Sequence, residues 1–119
     1  MATKAEIRQR VGEDLGLVPI GQSLESQDQA RIDASFDEAY ARVKENGLVS
    51  WASTAEVPDR IVPYFCLIME EKLATSYSLP ESRNLRIKTD AGPNGEIALA
   101  NIAKLTIQQY ESIDSATDY

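Results

Sequence analysis

The chain has 119 residues, the size of one ordinary domain, and is long enough to bury a core without metal or disulfide staples. Nineteen acidic residues against twelve basic ones give a net charge of −7, and the excess is spread along the chain, which argues against nonspecific affinity for DNA phosphates. With no histidine and a single cysteine, Ser–His–Asp and Cys–His catalysis, histidine metal sites, an internal disulfide and multi-cysteine metal sites are all excluded.

Residues 1–10 carry charge with no apolar stretch behind them, so no signal peptide is expected there. Thr3 and Glu6 then form a capping box, in which hydroxyl and carboxylate satisfy orphan amides reciprocally. Ile7, Val11 and Leu15 follow on one helical face, and Gly16 stops the helix. After a loop with Pro19 and Gly21, Ser26 and Gln29 predict a second capping box. A second helix lines one face with Ile32, Phe36, Ala39, Tyr40 and Val43 and turns Asp33, Asp37, Glu38 and Arg42 outward. "ENG" ends it at Gly47.

The stretch "LVSW" is expected to be extended. Pro58 suits the first turn of the next helix, and Pro63 either lies in that turn or kinks the helix just after it. "IVPYFCLIMEEKLATSY" is apolar nearly all round until Glu70 and Glu71, as expected of the central helix of a bundle. Its longest apolar run, residues 61–69, falls far short of the ~20 residues a membrane span needs, so the chain reads as a soluble protein of a reducing compartment. Cys66 lies in that run and reads as a small buried hydrophobe. Trp51, leading into the central helix, reads as a cap on the core, with a partner-binding role as the alternative.

Between residues 78 and 95, Leu85 and Ile87 alternate with Arg86 and Lys88, which predicts a short strand or extended arm. "DAGPNG" is turn chemistry. A fourth helix is expected from about Glu96 to Ser112, with Leu99, Ile102, Leu105 and Tyr110 inward. Residues 111–119 have no period and read as a flexible C-terminal tail beyond a helical domain of residues 1–110. The predicted fold class is all-α: a bundle of about four helices with a central apolar helix, an extended arm and a tail.

Little in this pattern carries chemistry. The glycines fit neither a phosphate loop nor a dinucleotide fingerprint, and no catalytic, cofactor or metal residues stand out. Acid–base work would fall to carboxylates such as Asp33 and Asp37 or Glu70 and Glu71, and these read better as a solvated face. The one cationic cluster, Arg83, Arg86 and Lys88, suits pairing with acidic helix faces of a neighbouring copy, with nucleic acid as the alternative partner.

The run "DLGLVPIGQSLESQDQARIDASFDEAYARVKENGLVSW", with its leucine–glycine–hydrophobic step, polar loop, aspartate- and alanine-bearing helix and "NG" before an extended tryptophan segment, leads to a "VP…VP" approach to an apolar helix. This pattern resembles the head–tail adaptor (connector, or head-completion) proteins of tailed bacteriophages, over about residues 5–77; the fourth helix and loose tail fit in kind. The resemblance implies a virion protein, assembled in the bacterial host cytoplasm, that forms a dodecameric ring beneath the portal. Such a ring extends the DNA channel and docks the next tail or neck protein. It further implies that Tyr110, Ile113 and Tyr119 contact the portal and that DNA passes without specific binding; Trp51, Arg83, Arg86 and Lys88 are the candidate contacts to neighbouring copies or partners. No membrane and no cofactor are implied. Readings from other classes are a helical DNA-binding module, such as a small packaging subunit or regulator, which would need a basic recognition helix, and a small carboxylate-dependent enzyme.

Overall fold

The structure, a computed structural model, describes residues 1–49, 51–52 and 56–117, with side chains described through Thr106. Helix α1 spans Lys4–Asp14 and starts where the Thr3 signal places it: the Thr3 hydroxyl accepts the Glu6 backbone N–H at 3.2 Å. The reciprocal half differs from the expected box, because the Glu6 carboxylate accepts from the Thr3 hydroxyl at 3.2 Å. Ile7, Val11 and Leu15 are buried, and Gly16 turns the chain away with φ +76°.

Helix α2 spans Ser26–Glu45. The second capping box is not formed. Glu25 is the N-cap with no side-chain bond to the helix, and the Gln29 amide instead donates to the Leu24 carbonyl at 2.9 Å. Ile32, Phe36, Ala39 and Val43 are buried as expected, and Tyr40 is half-buried. Helix α3 spans Val62–Leu73 and packs against every other helix, so it is the central element. Pro63 lies in its first turn without kinking it. Pro58 lies outside the helix and opens a preceding turn, its carbonyl accepting the Ile61 N–H at 2.9 Å. Phe36 of α2 and Phe65 of α3 meet at 5.1 Å between ring centroids in the middle of the core.

The expected strand or arm is a helix. α4 spans Glu81–Ala91, and a 3₁₀ turn at Pro93–Gly95 joins it to α5, Glu96–Thr117. Alternation over Leu85–Lys88 misled because α4 presents only a narrow apolar face: Ile87 and Ala91, four apart, are buried, while Leu85 is 65% exposed. The described residues thus form five α-helices and no sheet; Ala2 and Val57 make one isolated antiparallel bridge that ties the start of the chain to the approach to α3. The last helix runs past its expected end near Ser112, since α5 continues to Thr117. At about 33 Å for its 22 residues, α5 helps give the molecule extents of 53 × 27 × 24 Å.

Candidate functional site

Trp51 leads out of the α2–α3 joint. Its ring is half-buried against the core edge and meets Tyr40 edge-on, with centroids 6.2 Å apart, while the Tyr40 hydroxyl donates to the Trp51 carbonyl at 2.8 Å. This double contact fixes the chain leaving α2. Four turns of regular spacing put Tyr40 on the α2 face next to the joint, which is why a tyrosine of the helix meets a tryptophan outside it. The indole N–H is buried and meets no acceptor among the described residues. Ser50 and residues 53–55 lie outside the described residues.

The three cations expected to act together point to different tasks once α4 is a helix. Arg83 lies over Gly16, where a Cβ would fall 1.6 Å from its guanidinium, and donates to the Leu15 carbonyl at 3.0 Å. It therefore closes the C-terminal end of α1, where the last carbonyls carry partial negative charge. Arg86 is exposed at the rim of a cleft, and Lys88, also exposed, lies well round the helix from it. Tyr110 and Ile113 lie on the α5 backbone, but their side chains are outside the described set; Tyr119 is outside the described residues altogether.

The carboxylates expected on a solvated face are engaged. Asp33 accepts from Arg8 at 2.9 Å and Asp37 from Lys4 at 3.0 Å, linking α2 to α1, and Glu38 pairs with Lys72 of α3 at 2.8 Å. Arg42 reaches the Asn94 carbonyl and pins the α4–α5 turn.

Glu70 departs furthest from its expected solvated place. It is 4% exposed on the inner side of α3, and Glu71, one residue on, is half-buried. Helical spacing explains this, because Glu70 falls in line with buried Cys66 and Leu73. It lines a cleft of about 310 Å³ between α1, α3 and α4, together with Arg10, Asp14, Arg86 and Asp90. Burial pushes the Glu70 carboxyl up to about 8; the charge of Asp14 and a hydrogen bond to it add to the rise, and the Arg10 and Arg86 guanidiniums oppose it. A carboxyl that stays neutral at pH 7 can donate a hydrogen bond or a proton, which is the chemistry this cleft offers. Cys66, one turn earlier, supplies no nucleophile: it is buried, and burial pushes its thiol up to about 12.

Among the described residues, no group of three or more Cys, Asp or Glu side chains is placed to hold a metal ion, and no helix is long and apolar enough to cross a membrane. Sequence reading missed the Asp14–Glu70 meeting. The available signal was the Cys66–Glu70–Leu73 register, which marks Glu70 as inward-facing without naming what it faces. No protein-family model, curated protein or solved structure significantly matches the chain.

Proposed function

We propose that the chain is a structural adaptor of a tailed-bacteriophage virion, forming a dodecameric ring between the portal and the next tail or neck protein and extending the channel through which DNA passes. The observation that carries this reading is the sequence pattern of residues 5–77, which resembles that of head–tail adaptors. Two structural features support it. The α2–α3 joint is held from both sides, by Tyr40 on Trp51 and by Ala2 on Val57, and a fixed angle between helices is what lets copies tile identically around a ring. The elongated form, with a 22-residue last helix, suits a subunit whose C-terminal end reaches along a neighbour.

On this reading Tyr110, Ile113 and Tyr119 meet the portal, and Trp51, Arg86 and Lys88 meet neighbouring copies. Arg83 has a smaller share in such contacts because it is engaged with the Leu15 carbonyl. The acidic surplus keeps the channel wall from holding phosphates. Cryo-electron microscopy of virions tests the assignment: a ring of this chain at the portal–tail junction supports it, and a position elsewhere in the particle overturns it. Deleting residues 111–119 is expected to leave the bundle folded while abolishing attachment to DNA-filled heads; truncated protein that still completes heads removes the portal-contact role.

A further inference from the structure

Glu70 is the one buried charged side chain among the described residues. From α1 it faces Arg10 and Asp14, and from α4 Arg86 and Asp90; on its own helix the neighbours along the cleft are Leu67 and Pro63, with Cys66 one turn before it. Neither α2 nor α5 brings a charged side chain to this cleft among the described residues. Among the described residues no cation is ion-paired with Glu70. Arg10 pairs instead with Asp14, at 3.8 Å, and the other ion pairs lie elsewhere on the bundle.

Asp14 and Glu70 line one cleft, with no cation ion-paired to the buried Glu70, and two such carboxyl groups cannot both ionise without strong repulsion. The stable arrangement keeps one proton between them. Burial assigns that proton to Glu70, since the Asp14 side chain is 40% exposed and solvated. A protonated Glu70 has the Asp14 carboxylate across the same cleft as an acceptor, which would tie α3 to the last turn of α1. The α1 end is also where Arg83 of α4 docks on the Leu15 carbonyl, so α1, α3 and α4 share one junction.

We propose that Glu70 and Asp14 form a proton-operated latch that holds α1 and α4 against α3, closed while the carboxyls share a proton and loosened when that proton passes to solvent. Loss of the proton leaves two adjacent anions at the junction. The cleft opens to solvent beside them, so water can enter, and the exposed Arg86 side chain has room to turn toward the new charge. The junction therefore relaxes locally while the Phe36–Phe65 core, on the other side of α3, stays packed.

Carbon-13 NMR of the intact chain, labelled at glutamate carboxyls, reads the latch directly. The Glu70 signal is expected to titrate with a midpoint near 8. Asp14→Asn should lower the midpoint and Arg86→Gln should raise it, because the two neighbours act on Glu70 with opposite sign. Amide-exchange protection in the last turn of α1 and in α4, corrected for the intrinsic pH dependence of exchange, should fall at least tenfold across the midpoint in the wild type and stay constant in Glu70→Gln. A Glu70 midpoint below pH 6, an Asp14→Asn midpoint unchanged from wild type, or equal loss of protection in Glu70→Gln overturns the proposal. If Glu70→Gln does not fold, the wild-type titration and the two variants at exposed or half-exposed positions decide it alone.

Discussion

The seam between α1 and α2 and the junction of α1 with α3 and α4 both bring carboxylates to α1, and they handle them in opposite ways. At the seam, Asp33 and Asp37 each meet a cation of α1 near solvent, and the Lys4 ammonium lies over the Phe36 ring, 5.1 Å from its centroid. At the junction, Glu70 is buried and shares a cleft with Asp14, and burial pushes its carboxyl up to about 8. The seam is a hydrophobic floor with a charged rim, and its ion pairs add little because solvent screens them. The junction places its polar group within the packing, where the state of one proton decides whether the contact attracts or repels. Equal sequence chemistry thus yields a static contact in one place and a titratable one in the other, and depth is the difference.

If the apolar floor holds the seam, Phe36→Ala should be the most damaging change, costing about 3–5 kcal/mol of unfolding free energy. Urea denaturation measures it, and a loss under 1 kcal/mol would move the stability of the seam to its charged rim. The junction should show itself in pH dependence. An unfolded chain releases the Glu70 proton near its ordinary value of 4.5, whereas the folded chain keeps it up to about 8. The folded state holds the extra proton between these values, so the stability associated with Glu70 is full below about pH 4.5 and declines as pH rises to about 8. The wild type should lose about 3 kcal/mol relative to Glu70→Gln between pH 5 and pH 8. Parallel melting curves for the two proteins across that window would erase the contrast between seam and junction.

Trp51→Ala falls between a core and a surface change, because the ring is half-buried and edge-on to Tyr40. A cost of about 2 kcal/mol is expected. A negligible cost combined with failure to assemble would assign the indole to a partner instead of the joint. The smallest effect should come from Asp33→Asn, which removes the Arg8 pair at the rim and should cost about 1 kcal/mol or less in a double-mutant cycle with Arg8. A coupling above 2 kcal/mol would make the seam resemble the junction after all.

Much of the bundle was legible in local pattern. Thr3 and Gly16 bracket α1, Gly47 follows α2, and apolar residues all round α3 mark it as central, because capping and burial periodicity act over one or two turns. α4 escaped because four alternating residues outweighed a longer signal: Pro80 before the helix, Glu81 in its first turn, Lys88 in its last and Gly92 after it. The candidate site was less legible. Arg83, Arg86 and Lys88 are neighbours in sequence, but a helix distributes them to the end of α1, the rim of a cleft and solvent.

The sequence by itself determined that this is an all-helical chain built around the apolar helix of residues 62–73, since helical period and apolar content are local properties that any packing must respect. Only the tertiary structure decided the fate of the charges. Asp14 and Glu70 are 56 residues apart in the chain, and the burial that pushes the Glu70 carboxyl up, with Asp14 beside the same cleft adding to it, follows from how α1 and α4 pack on α3. A side chain's ionisation depends on the solvent and charges around it, and those are supplied by whichever helices pack against it, not by its neighbours in sequence.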